Sequence, residues 1–103
     1  MRKIVVLYGA PKDPEHFRRY YLENHLPLAA RLPGLQASRH SFDIVSVNGV
    51  SPFCMWEGEF EDGAALGAAM SSAIGHQVAA DTANYATGGL TIFHCGPKDS
   101  ASG

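Results

Sequence analysis

The chain has 103 residues, 46% of them hydrophobic and 17% charged, with eight basic against ten acidic side chains and a net charge of -2. That leaves room for one domain with one modest core, in the composition range of globular rather than disordered proteins. The slight negative charge without any basic cluster argues against a nucleic-acid partner, and no stretch approaches the roughly 20 apolar residues of a membrane span. The opening MRKIVVLYG is basic and then apolar, but the apolar run is too short for a signal peptide, so a cytoplasmic location is expected.

Residues 3–8 (KIVVLY) form a continuous β-branched and apolar run, the pattern of a strand covered on both faces. A short loop leads to a helix that Asp13 can cap, with Pro14 at the first helical position and Glu15 suiting the dipole in the first turn. At about 100° per residue, Phe17, Tyr20, Tyr21, Asn24 and Leu28 fall on one side, and Arg19 and Glu23 on the other. Pro27 cannot donate to the carbonyl of Glu23, so the helix is expected to end or kink around residues 24–26, with His25 at the break. Pro33-Gly34 then turns the chain. Residues 35–47 read as a long strand, Val47-Asn48-Gly49-Val50 as a hairpin with a type I′ turn, and residues 53–60 as the returning strand. Asp62 can cap a second helix over 63–73, with Leu66, Ala69, Met70 and Ala73 as its apolar stripe; Gly75 weakens it, and a restart is expected over 77–84. Thr87-Gly88-Gly89 precedes a last strand over 90–95. A single domain thus covers residues 1–97, and the small, polar tail 98–103 is expected to fray.

The order is β-α-β-β-α-β, the split βαβ or ferredoxin-like α+β arrangement, with both helices on one face of the sheet. An apolar second face on so small a domain needs cover, and pairing with a second copy supplies it, so a homodimer through the sheet face is expected. With Asn48-Gly49 as a two-residue loop, His40 falls opposite Glu57, Ser38 opposite Glu59 and Phe42 opposite Met55, a register that a single bulge would change. Cys54 and Cys95 lie far apart without CxxC spacing and read as two buried thiols.

His25 is the strongest candidate for chemistry. At a helix break its imidazole can enter the space between helix and sheet, and Tyr21, one turn earlier on the same side, could address the same ligand. An imidazole can act as general acid or base, and a phenol can polarise a carbonyl or bind an enolate. The plainer alternative is a histidine that caps the free carbonyls before Pro27 and does no chemistry. Phe17 and Tyr20 read as core, and Trp56 as core or as an aromatic wall for a planar ligand. His94 could line a cavity mouth or be a satisfied sheet histidine. His40 with Glu57 could be an orienting dyad or a cross-strand ion pair, while His16 and His76 are expected on wet surfaces. No histidine pair has metal-binding spacing, and no nucleotide fingerprint or nucleophile motif is present, so no metal and no cofactor are expected.

The block Phe17-x-x-Tyr20-Tyr21-x-x-x-His25-x-Pro27-Leu28-x-x-x-Leu32-Pro33-Gly34-Leu35, behind a short apolar strand, resembles the EthD family. Gly58-x-Phe60 with its acidic cap, and the second helix with Ser72, Gln77, Asp81 and Asn84-Tyr85, are similar too. The likeness runs over roughly residues 3–93 and departs after Ser72, where Ala73-Ile74-Gly75-His76 replaces a Pro-Glu type of helix start. It implies a dimeric α+β barrel, two ferredoxin-like sheets packed face to face. Relatives in that wider superfamily include cofactor-free monooxygenases, polyketide cyclases, muconolactone isomerases, haem proteins and stress-response proteins. The family's name comes from a gene set for ethyl tert-butyl ether degradation, in which its member is an accessory. Within the resemblance, His25 maps onto the family's marked histidine.

Three functions follow. One is a small cofactor-independent enzyme, monooxygenase-like or cyclase- or isomerase-like, acting on a hydrophobic carbonyl or aromatic metabolite. His25 and Tyr21 would be catalytic, and Phe17, Trp56 and His94 would bind a small hydrophobic ligand between helices and sheet. Another is a non-catalytic accessory protein that holds a hydrophobic intermediate of a degradation pathway. A haem-binding barrel, using His25 or His94, stands third.

Overall fold

Alternation along the central strands decides which side chains share a face. The computed structural model describes residues 1–97, and the tail expected at 98–103 lies outside them. β1 (Arg2–Tyr8) lies between β3 (Cys54–Phe60) and β4 (Leu90–Cys95), with β2 (Ala37–Ser41) beside β3, so the sheet is antiparallel in the order β2-β3-β1-β4. Ile4, Val6 and Tyr8 of β1 and Cys54, Trp56 and Phe60 of β3 face the helices and share one core with Phe17, Tyr21, Leu66 and Tyr85. This is the ferredoxin-like α+β fold that the element order implies.

α1 (Pro14–Tyr20) starts as its sequence dictates, the Asp13 carboxylate accepting from the N–H of His16 at 3.1 Å. Pro27 does not end the helix. A π turn over Tyr21–His25, in which the Leu26 N–H reaches back to the Tyr21 carbonyl, leads into α2 (Leu26–Ala29), which runs on through the proline. In an unbroken α-helix, residues four apart drift by about 40° per step. The wider π turn offsets that drift, so Phe17, Tyr21, His25 and Ala29 are all buried, whereas Asn24, expected on that side, is exposed.

The hairpin expectation fails at Asn48. A type I′ turn needs positive φ at both central residues, but Gly49 alone has it, at 88°. Residues 42–53 form an irregular connection instead, and β2 is short. The register shifts by one residue: Arg39, not His40, lies opposite Glu57, and His40 lies opposite Trp56.

The second helical segment breaks earlier than expected. α3 (Gly63–Ser71) ends at Ser72, which caps α4 (Ala73–Asp81) by accepting from the Gly75 N–H at 3.0 Å. Ala73 is therefore an exposed first-turn residue, not the end of an apolar stripe. Gly75 is a contact point rather than a weak spot, because a Cβ there would come within 2.3 Å of the Ala69 carbonyl oxygen.

The face away from the helices is not the continuous apolar surface that KIVVLY suggests. Val5, Leu7, Met55 and Phe93 share it with Lys3, Arg39, Glu57 and Glu59. Glu57 takes Lys3 Nζ at 3.4 Å and Arg39 Nη1 at 2.7 Å, and Arg39 Nη2 reaches Glu59 at 3.1 Å. Hydrogen bonding from Arg39 is the main cause that holds the Glu57 carboxyl below its usual range. Cys95 lies on this face of the edge strand and is exposed, so only Cys54 is a buried thiol; burial pushes it up to about 11. A thiol so raised stays protonated and inert.

Candidate functional site

Where α2 and α4 meet the sheet, small side chains leave space. Ile4, Val6, Trp56 and Ile92 wall a cavity of about 80 Å³ from the sheet side, and Ala29, Leu32, Met70, Gly75, Val78 and Ala79 from the helix side. A water needs roughly 10–15 Å³, so the space admits several waters or a small organic molecule. The Trp56 indole lies over Gly58, where a Cβ would come within 2.5 Å of its ring. Besides the Trp56 indole, Tyr8, His25 and Thr82 bring polar groups to the lining among the described residues.

His25 reaches it because the π turn rotates it inward, and it is only 4% exposed. Its Nδ1 is 2.9 Å from Asp81 Oδ2. The other carboxylate oxygen accepts from Tyr20 Oη at 2.6 Å and from Asn84 Nδ2 at 3.0 Å. Desolvation pushes the Asp81 carboxyl up, but the hydrogen bonds from Tyr20, His25 and Asn84 outweigh it and leave the group below its ordinary 3.8. An ionised carboxylate only accepts, so His25 Nδ1 must carry the hydrogen. Burial lowers the imidazole below its ordinary 6.5, against the opposing pull of Asp81. The ring is thus neutral at pH 7, with a lone pair on Nε2, an atom that has no protein partner among the described residues. The hydrogen bond to Asp81 raises the Tyr20 phenol.

At Tyr8, a second polar lining residue, the Tyr8 and Tyr85 hydroxyls meet at 2.7 Å. Burial pushes Tyr8 up to about 12 and raises Tyr85 as well, so both stay protonated.

The structure brings His25 and Trp56 together at the cavity. Tyr21 is fully buried and stacks on His25 at 5.7 Å with 17° between the rings, but it stands outside the lining, and its hydroxyl has no hydrogen-bond partner among the described residues. Phe17 is fully buried in the core behind it, 5.5 Å from the Tyr21 ring. His94 is exposed on the edge strand, outside the lining, its Nδ1 accepting from Arg2 Nε at 3.0 Å. The expected His40–Glu57 pair does not form: the shifted register gives Glu57 to Arg39. Tyr20, read as core, packs against the core at its edge and its hydroxyl donates to Asp81.

Asp81 was the residue that sequence reasoning left without a role. Its signal is its position: it closes α4, where the helix dipole disfavours an acid, so a carboxylate there calls for donors of its own. Among the described residues, no three His, Cys, Asp or Glu side chains are grouped to hold a metal, and no helix is long and apolar enough to cross a membrane.

Residues 10–89 match the model of the EthD domain. An uncharacterised 11.0 kDa protein of Rhodococcus erythropolis, from the thcB-thcC intergenic region, is 32% identical over 94 residues, spanning 90% of this chain and 91% of that one. The crystal structure of an ethyl tert-butyl ether D (EthD) family protein from Bacillus halodurans C-125 has a TM-score of 0.85 and 26% identity, over 95% of this chain and 99% of that one. A dimeric ferredoxin-like protein of unknown function from Jannaschia sp. CCS1 shares the fold with a TM-score of 0.69 at 19% identity, over 93% of this chain and 98% of that one.

Proposed function

The chain belongs to the EthD family, and from that premise we propose that the cavity between sheet and helices is its small-molecule site, with His25 as the acid–base group. The observation that carries this reading is an imidazole held by a carboxylate on one edge while it lines an otherwise apolar cavity. Asp81 fixes one ring orientation and one tautomer, so Nε2 can take a proton from a ligand and return it elsewhere on the same molecule. Asp81 then stabilises the imidazolium while it lasts. Trp56 serves as the flat wall, Tyr21 and Phe17 hold the ring from behind, and Tyr8 supplies the phenol. Such a site suits a hydrophobic carbonyl or aromatic metabolite that undergoes proton transfer, isomerisation or ring closure without a cofactor.

The near absence of polar groups from the lining favours a second reading, an accessory protein that holds a hydrophobic intermediate of a degradation pathway. Exchange of the α-hydrogens of cyclopentanone in D2O, followed by NMR, separates the two. An enzyme is expected to accelerate exchange by roughly 100-fold, and His25→Gln to remove most of that gain. Binding without acceleration supports the accessory reading, and the absence of both rules out a simple ketone as the substrate of this site.

The dimeric state of the Jannaschia protein and the exposed Phe93 support a homodimer formed through the open face of the sheet.

A further inference from the structure

Two hydrogen-bonding valences of the residues around the cavity have no partner among the described residues. The first is the Nε2 lone pair of His25, left as an acceptor because Asp81 claims the hydrogen on Nδ1. The second comes from the tyrosine pair. The Tyr8 and Tyr85 hydroxyls carry two hydrogens but share one bond, and neither oxygen has another partner among the described residues. Both side chains are no more than 2% exposed, so one phenolic hydrogen is left over in a place where an unmet donor is costly. When Tyr85 donates to Tyr8, that spare hydrogen belongs to the residue that lines the cavity. Thr82 adds no donor, because its hydroxyl already donates to the Ala79 carbonyl at 2.8 Å.

We propose that the cavity takes a small apolar molecule bearing a phenolic or enolic hydroxyl, which donates to His25 Nε2 and accepts from the Tyr8–Tyr85 pair. This rests on the cavity being the ligand site. A hydroxyl is the smallest group that meets both valences at once. A ketone, aldehyde or ether only accepts and leaves Nε2 unmet, and an ammonium has no lone pair for the tyrosine. A carboxylate also only accepts, and it would carry charge into an apolar space close to the Asp81 anion. The Trp56 wall favours a planar ring next to the hydroxyl.

Phenol, benzaldehyde and toluene are of similar shape and differ in these valences, and Trp56, the chain's one tryptophan, reports their binding by its emission. In the unaltered protein phenol is expected to bind at least about tenfold more tightly than either of the others. His25→Leu is expected to erase that margin, and Tyr8→Phe to narrow it, with toluene affinity kept in both. Because the decisive comparison uses the unaltered protein, a variant that fails to fold leaves it intact. Equal affinity for all three probes overturns the hydroxyl requirement while the cavity stands as a ligand site, its two valences then belonging to water. No response to any probe up to its solubility limit overturns the cavity reading, and this inference with it.

Discussion

Both faces of the sheet bring charge next to apolar side chains, and they hold it in opposite ways. On the helix side, the His25 ring is withdrawn from water, and its Nδ1 and both Asp81 oxygens are fixed by named partners. On the open side, Lys3, Glu57, Arg39 and Glu59 form a ladder across three strands, with the Lys3 and Arg39 side chains 36% and 46% exposed. Strand parity decides which sheet residues join each set: Val6 and Trp56 pair on the helix face, Val5 and Glu57 on the open one. The carboxylates on the two faces are almost equally buried, the Asp81 side chain 14% and the Glu57 side chain 16% exposed, and hydrogen bonds lower both. The contrast lies in the partner, a buried imidazole on one face and cations that reach water on the other.

The contrast is tested most severely at Asp81. Asp81→Ala leaves His25 Nδ1 and Tyr20 without their acceptor and Asn84 with Tyr20 Oη alone, and is expected to cost about 2–3 kcal/mol in urea unfolding, with Asp81→Asn costing less. A loss no larger than that of an open-face charge would erase the distinction. Acid supplies a second measure. The folded pKa of His25 lies below 6.5, so the unfolded chain binds more protons between the two values. Stability is therefore full above 6.5 and falls as the pH drops toward the folded value. Asp81, also lowered, contributes stability that is present above 3.8 and is lost as the pH falls below it. Two successive acid windows are expected. Asp81→Ala should leave only the Glu57 share of the lower one and extend the upper one downward, because it removes both influences that raise His25, and the His25 ring resonances in NMR titration read this directly.

The next effect belongs to the open face. Phe93→Glu places a charge on a residue that is 44% exposed in the single chain, so unfolding of dilute protein should change by no more than about 0.5 kcal/mol. Sedimentation should nevertheless show a dimer for the unaltered protein and a monomer for the variant. A variant that still dimerises moves the interface elsewhere and leaves the open face to water.

The element order was legible because the helix caps are local: Asp13 and Asp62 each accept the N–H three residues on, as their positions dictate. The register was not, because it hung on the φ of Asn48, and nothing in Asn-Gly compels that residue to turn left-handed when a longer connection is available. His25 was visible as a histidine beside a proline, but the π turn that rotates it inward is a compromise between Pro27 and the buried line of Phe17, Tyr21 and Ala29. Its partner Asp81 is 56 residues away on another helix, and only packing brings the two within 2.9 Å. The Tyr8–Tyr85 pair, 77 residues apart, was hidden for the same reason.

Glu57→Gln should have the smallest effect, and its dependence on conditions matters more than its size. In a single chain the glutamine keeps a hydrogen-bond acceptor for Arg39 and removes only charge. Partners with their heads in water make such a pair worth at most about 1 kcal/mol, less at high salt. The lowered Glu57 pKa means that this contribution is present above 4.5 and fades as the pH falls below it. A second copy laid over the face changes the physics. The same carboxylate is then taken out of water, and removing it leaves the Arg39 and Lys3 charges inside an interface with Glu59 alone to balance them, which costs more than the exposed pair was worth. The variant should therefore lose little in dilute solution and more as protein concentration rises through the dimerisation range. A loss that is small, salt-sensitive and independent of concentration keeps the ladder wet and the contrast between the faces intact. A loss that grows with concentration puts both charge systems under the same rule, one buried by folding and the other by assembly.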